Sequence, residues 1–582
     1  MSNLAVASGV AGTSLGLLGR LSQKTVLVAV GGIPLLFVAA LLAVIVLDAF
    51  RGKDGFSFEN FITIYSDIYI YRVLGNTLIF SVVAVAVALV CAVPMAWLVE
   101  RTSLPGRAAV FPIMTLGVLL PGFAVAMGWM ALLHQRVGIL SKWIGPLFPG
   151  GQSPIGVNNI VGMGFVQGLS LAGLLFIMTA SSFRAMDPSL EESAEAHGLG
   201  LLKRLRLITV PLMWPSILAA ALYAFTIAFG SFDVPALIGL GNNIVVFSTL
   251  LYEQARPEGG LPQPELAAAT SFLIIAIALA FSYWYLRVVQ QASRYSVVTG
   301  KGYRPKLVVL SRSQTIAAWV FIGSIIALSI GLPLLALIWT SFNSYFVVPS
   351  LKAFQNLNLN GYRSISLMAA DVPIRNSIIL VLTVPTIMVV FSLVISWVIV
   401  RSQLRGVSRL YDSMSFLPHA LPNVVLALGA MILGLSVVPN SIPFYGTIYI
   451  LVAVYVVERL GFGTRVYNSA LLQIHRELEE AGAVFGLSRI AIMLRIMVPL
   501  ILPAIVYSWI WVALLVYREL TTAAILASKD NVVIPTFIWQ QWQQNSGRGA
   551  AMTVMMILVM VPFTILYFWL GRRHFSRTLA GT

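Results

Sequence analysis

Stretches of 18 or more residues almost free of charge recur along the whole length of this chain. Each is long enough to cross the ~30 Å hydrocarbon core of a bilayer as a helix. Inside hydrocarbon every backbone N–H and C=O must be paired within the protein, so only helices and closed barrels can span it. Barrel strands read as short alternating segments, and these runs are long and continuous. Charged residues make up only 10% of the chain, against roughly 25% in soluble domains, and the mean hydropathy is +0.90. The expectation is an all-α polytopic membrane protein lodged in a lipid bilayer.

Twelve spans are expected, near 26–48, 77–99, 109–134, 157–183, 208–239, 264–287, 313–341, 377–400, 412–436, 443–467, 496–527 and 549–571. The net charge of +16 does not point to nucleic acid, because Lys and Arg gather in short loops on one side. Arg101 and Arg107; Lys203, Arg204 and Arg206; Arg287 to Arg312; Arg401, Arg405 and Arg409; and Arg572, Arg573 and Arg577 all fall there. That is the positive-inside pattern, and it puts these loops and both termini in the cytoplasm. The start, MSNLAVASGVAGTSLGLLGRLSQK, lacks an early basic region before its apolar stretch and is not expected to be a cleaved signal. Cys91, the single cysteine, excludes an internal disulfide.

The chain repeats itself. Residues 190–217 and 478–505 agree at eleven of 28 positions without a gap, at an offset of 288. Further matches lie outside this loop: Asn76 with Asn376, Trp97 with Trp397 and Arg101 with Arg401 at 300, then Pro121 with Pro422 and Gly128 with Gly429 at 301. A longer loop at 135–156 accounts for the change of offset. Two six-span halves are expected, 26–287 and 313–571, flanked by a segment 1–25 and a tail 572–582 and joined by a linker 288–312. An even number of spans per half makes the copies parallel, related by an axis along the membrane normal.

The repeated loop has the grammar of a helix, a turn and a second helix. Asp187 and Pro188 suit an N-cap and a first helical position. Glu191 and Glu192 then favour the positive end of the helix dipole, and Gly198 is a natural stop. Pro211 and Pro215 open the next span. The second copy is similar, although His475 to Glu477 replaces the Asp-Pro start. One such copy could simply rest on lipid headgroups. Two with the same spacing imply the same kind of partner met twice.

The elements Glu192-Ser193-Ala194…Gly198…Ile208-Thr209-Val210-Pro211 and Glu480-Ala481-Gly482…Gly486…Ile496-Met497-Val498-Pro499 resemble the EAA loop of bacterial ABC importer permeases. Ser193 and Gly482 depart from the pattern without removing the glycine turn. Two such loops in fused halves resemble the ferric-iron import group, with thiamine, phosphonate and polyamine importers as near relatives. The resemblance implies the type I importer permease fold in a bacterial inner membrane. It also implies a periplasmic substrate-binding protein that delivers cargo and two ATPase subunits that hold ATP and magnesium. It assigns docking to Glu191, Glu192, Ala194, Gly198, Glu479, Glu480, Gly482 and Gly486. No cofactor is expected in this chain.

The sequence contains no G-x-x-x-x-G-K-[ST] and no H-E-x-x-H, and its one G-x-S-x-G, Gly12 to Gly16, stands before the first span with no strand-to-helix elbow expected there, so ATP hydrolysis and intramembrane catalysis are unsupported. Its five histidines are scattered without metal-ligand spacing. An ion-driven secondary transporter with parallel halves is the rival from another class, but such a carrier has no ATPase to bind. Charges inside spans are costly and usually face a pathway or a partner. Glu458 and Arg459 read as a structural pair near the inner interface. Asp233 is either a helix cap before Pro235 or a pathway group. The spans 208–239 and 496–527 should face each other across the axis. Phe229, Phe232, Tyr517 and Leu520 are then candidate plugs, and Asp233 and Glu519 candidate carboxylates favouring a cation. Arg518 beside Glu519 weakens that field.

Overall fold

The computed structural model describes residues 3–580 apart from 53, 149–152, 188, 258–260, 293–306, 367–369 and 440. Pro188 and Arg294, Lys301, Arg304 and Lys306 of the linker therefore lie outside the described residues. Among the described residues the one sheet is a hairpin of Arg51–Gly52 with Gly55–Phe56. Apart from an isolated bridge between Thr102 and Val308, the other regular structure among them is helical.

The apolar runs become the helices. Among the described residues nine are long and apolar enough to cross a membrane, and up to twelve if each of three bent pairs forms one span. Two of those pairs correct the expected third and ninth spans. Arg107–Leu119 and Gly122–Leu133 meet at 92°, and Arg405–Ala420 and Asn423–Val437 meet at 102°. The cause is the matched proline. Pro121 and Pro422 force the residue before them out of the helical region, and Leu120 and Leu421 are extended, with ψ of 135° and 146°. The tenth place is held by Ile448–Leu472, which carries Glu458, Arg459 and Arg465 and is not among the nine.

The fifth and eleventh spans end earlier than expected. The helices stop at Phe229 and Tyr517, not at 239 and 527. Beyond Phe229 the chain turns into a third bent pair, Pro235–Asn242 with Phe247–Ala255, at 76°. Beyond Tyr517 it forms the short helices Thr521–Leu526 and Ile534–Gln544. The matched asparagines hold these returns. Asn76 Nδ2 donates to the Val245 carbonyl at 3.0 Å, and Asn376 Nδ2 to those of Asp530 and Val532 at 2.9 Å. The hydroxyls that follow, Thr77 and Ser377, accept from the N–H groups of Phe247 and Ile534 at 3.0 and 2.9 Å. These bonds satisfy polar groups that the returning loops would otherwise strand in an apolar setting.

The halves are not separate bodies. The first helix, Asn3–Ala49, packs on the eighth and ninth spans of the other half as well as on its own sixth, Pro264–Ala292. The seventh span does the converse through Leu332–Ser341, which packs on Gly122–Leu133 and on Ser546–Ala580. This exchange explains the matched glycines. A Cβ on Gly128 would lie 2.4 Å from the Pro333 carbonyl oxygen, and one on Gly429 would lie 2.7 Å from that of Leu41. Each glycine is the point where a third-span segment touches the first span of the opposite half.

Candidate functional site

The two repeated loops fold alike. Ser189–Ala196 leads through a turn to Leu201–Arg204, and Arg476–Val484 leads to Arg489–Ile492. Asp187 caps the first loop by accepting from the Ser189 N–H at 2.9 Å. Gly198 and Gly486 sit at the turns with φ of 78° and 79°. The turns close with the same two bonds. Leu199 N–H donates to the Ala194 carbonyl and Gly198 N–H to that of Glu195, as Leu487 does to Gly482 and Gly486 to Ala483. This is the Schellman closure, which needs a left-handed residue at the glycine position.

The eight expected docking residues do not share one face. Glu191 accepts from Arg101 Nη2 at 2.8 Å and from Thr209 Oγ1 at 2.5 Å. Glu479 pairs with Arg401 Nε at 2.6 Å, and the same guanidinium donates to the carbonyls of Leu471 and Ile474. Arg101 and Arg401 end the second and eighth spans, and their side chains are 5% and 7% exposed. These two glutamates therefore tie each loop to a span. Ala194 and Gly482 are buried, and a Cβ on Gly482 would meet Ile496 at 2.7 Å. Glu192 is half-buried, while Glu480 and both turn glycines are exposed. Val484 and Phe485, each 86% exposed at the second turn, carry no signal in the sequence. Ala196 and His197 hold the matched places in the first. Because these pairs differ between copies, a search for identity passes over them.

A cavity of about 420 Å³ lies between the halves, bordered by the proline breaks and by the ends of the fifth and eleventh spans. Asp233, Arg518 and Glu519 are not inside continuous helices, as expected from sequence, but just past helix ends. Asp233 accepts from Thr521 Oγ1 at 3.4 Å. These residues match each other at the repeat offset of 288, so the pseudo-two-fold axis passes between them. The two spans thus meet at the segments beyond their ends rather than along their lengths. Arg518 Nη1 donates to the Leu120 carbonyl, freed by the break at Pro121, at 2.7 Å. Glu519 accepts from Arg459 Nη2 at 2.6 Å and from Asn423 Nδ2 at 3.4 Å.

Glu458 and Arg459 are not an isolated pair near the interface. They stand 3.8 Å apart, the arginine is closer to Glu519, and both line the cavity. Glu458 instead accepts from Thr522 Oγ1 at 2.5 Å. Phe232 and Leu520 line the cavity, whereas Phe229 stacks on Phe225 and packs edge-on against Phe247 within the first half. Tyr517 is not among the lining residues. Tyr223 and His419, which the sequence did not single out, bridge the halves through a 3.2 Å contact between the Tyr223 hydroxyl and His419 Nε2.

Intertwined parallel repeats that share a cavity on their axis with charged side chains in its wall, and a matched loop strapped to a span in each, are the build of a membrane transport permease. Comparison with known proteins makes this specific. The chain belongs to the family of binding-protein-dependent transport system inner membrane components, whose model matches residues 92–294 and 364–576, once in each half. It is thus a multi-pass ABC importer permease, a transport component and not an enzyme. It is 23% identical over 538 residues to the Ferric transport system permease protein FbpB of Actinobacillus pleuropneumoniae, covering 90% of this chain and 75% of that protein. It is 24% identical over 494 residues to the Fe(3+)-transport system permease protein FbpB 2 of Haemophilus influenzae, covering 84% and 87%. A shorter match, 25% over 230 residues, covers 36% of this chain and 70% of the inner membrane ABC transporter permease protein YdcU of Escherichia coli.

Proposed function

We propose that this chain forms the pathway of a ferric-iron importer, loaded by a periplasmic binding protein and driven by two separate ATPase subunits. The observation that carries the iron reading is similarity to ferric permeases along most of both chains, and the cavity carboxylates are compatible with it. The halves 26–287 and 313–571 each contribute one loop, at 189–204 and 476–492, to one ATPase subunit, so one copy of the chain binds two. Both loops, the linker and both termini face the cytoplasm in this reading, following the basic residues. Glu192, Glu480 and the exposed turn residues meet the ATPase, while Glu191 and Glu479 carry its movement to the spans.

The test is expression with the neighbouring genes, followed by mass measurement of the solubilised complex and iron uptake in proteoliposomes. An ATPase pair with one copy of this chain, a binding protein that associates with it, and ATP-dependent ferric uptake are expected. Two copies per ATPase pair would refute the stoichiometry. Uptake driven by an ion gradient without ATP would make it a secondary carrier. Uptake of thiamine, a phosphonate or a polyamine instead would overturn the cargo.

A further inference from the structure

The repeat makes it possible to compare the two walls of the cavity position by position, and their chemistry is unequal. At the offset of 288, Arg518 corresponds to Gly230, Glu519 to Ser231, Glu458 to Ser170 and Arg459 to Leu171. All eight line the cavity. The backbone arrangement is nevertheless shared. Gly230 lies against Pro422 as Arg518 lies against Leu120. Ser231 bonds Gln167 at 3.0 Å, and Tyr455, which matches Gln167, donates to the Glu519 carbonyl at 3.4 Å. One scaffold thus presents a neutral wall from the first half and four charged side chains from the second. Asp233 is the one charge that the first half adds.

The charged wall is costly to keep. Desolvating an ionised group in an apolar setting costs several kcal/mol unless good partners compensate. Glu458 Oε2 and Arg459 Nε are buried without a hydrogen-bond partner among the described residues. Arg518, half-buried on the same wall, holds the Leu120 carbonyl. The first half shows that the same backbone tolerates Gly, Ser and Leu at these places, so the fold does not demand the charges. Buried groups left short of partners on a cavity wall are groups kept for a ligand.

We propose that cargo is recognised by the second half alone, through Glu458, Arg459, Arg518 and Glu519, and that it crosses as a metal ion still carrying anionic ligands. This rests on the ferric-iron reading for the metal. A stripped hard cation takes about six oxygen ligands, yet each of the three carboxylates here already has one oxygen engaged, by Thr521, Thr522 and Arg459. Among the described residues no group of three or more His, Cys, Asp or Glu is placed to hold a metal ion. Arg459 and Arg518 offset two of the three carboxylate charges around the cavity, which leaves little to compensate a bare multivalent cation, and their N–H donors suit its anionic ligands. The cavity of about 420 Å³ holds roughly fourteen water volumes at ~30 Å³ each, room for an ion with a ligand shell.

The experiment compares matched substitutions in the whole importer, reconstituted with its ATPase and with the binding protein carrying whatever cargo it holds when purified. The cargo is identified by elemental and mass analysis, and its accumulation inside the vesicles is followed. Glu458→Gln and Glu519→Gln should each lower accumulation tenfold or more, whereas Ser170→Ala and Ser231→Ala should change it less than twofold. Equal losses in the two halves would overturn one-sided recognition. Arg518→Gln separates the passengers, because removing a positive charge raises passage of a bare cation and lowers that of an anion-bearing complex. Arg518→Lys should restore most of the rate; if it is as poor as Arg518→Gln, the arginine only braces Leu120 and the anion part falls. Each variant is scored only on complex that assembles in wild-type yield, and a loss of yield in the isosteric Glu458→Gln and Glu519→Gln variants would itself assign those glutamates to folding. If the purified cargo is not iron, the iron reading fails, and the comparison of the walls is still read on that cargo.

Discussion

Glu191→Gln is the substitution that most directly asks how loop movement reaches the spans. It keeps the shape of the side chain and removes the charge facing Arg101 at 2.8 Å. Arg101 is 5% exposed and Glu191 18%, so solvent screens the pair only in part. Removing one partner of a fully buried pair costs about 3–5 kcal/mol, chiefly because the other charge is left unpaired. The partial exposure of Glu191 and the bond that Thr209 can still make to the amide lower this to about 2–3 kcal/mol. Released and docked states of the loop would then shift by roughly 30- to 150-fold. Backbone amides of Ser189–Ala196 should exchange with deuterium faster by that factor, and the number of ATP molecules consumed per cargo imported should rise. Glu479→Gln should do the same to the second loop, whose partner Arg401 is 7% exposed. A double-mutant cycle of Arg101→Ala with Glu191→Ala isolates the coupling between the two side chains. If it returns less than about 0.5 kcal/mol, or if exchange in the loop is unchanged in Glu191→Gln, the strap is not what joins loop to span.

Gly198→Val and Gly486→Val meet open space, so their cost is purely conformational; at φ near +78° it should exceed the ~1–2 kcal/mol of an ordinary residue in that region. Uptake and stimulated ATP hydrolysis should fall in both while the amount of chain in the membrane stays at wild-type level. Gly128→Val and Gly429→Val place atoms against backbone carbonyls that cannot rotate away, and thermal unfolding in detergent should reveal a loss of about 1–3 kcal/mol or more, whereas Gly75→Ala, with nothing within 4 Å, should gain about 0.5–1 kcal/mol. Val484→Ser and Phe485→Ser should weaken ATPase binding without lowering the melting temperature of the isolated permease, since both side chains are 86% exposed, and pull-down of the ATPase gives the answer.

The legible parts of the fold were those written in local chemistry. Hydropathy located nearly every spanning helix, and Asn76, Arg101, Gly128 and Gly198 were visible because each recurs at its matched place. Each has one geometric duty performed twice: holding a returning loop, tying down a turn, letting two helices touch, or reversing the chain. The ends of the fifth and eleventh spans were not legible. Residues 230–239 keep Phe232, Val234, Leu237 and Ile238 among their polar positions, so a window average runs on past the break at Gly230.

By itself the sequence determined the class of fold, its duplication and the two turn glycines, because these follow from hydrophobic length, offset and backbone sterics. Only the tertiary structure decided which half each first span belongs with, since exchange between halves leaves no mark on composition. It likewise turned Glu191 and Glu479 inward, toward arginines about 80–90 positions away in the chain. It also drew Asp233, Glu458, Arg459, Arg518 and Glu519 around one cavity. Electrostatic partnership depends on distance in space, and no spacing along the chain records that Arg459 would choose Glu519 over its neighbour Glu458.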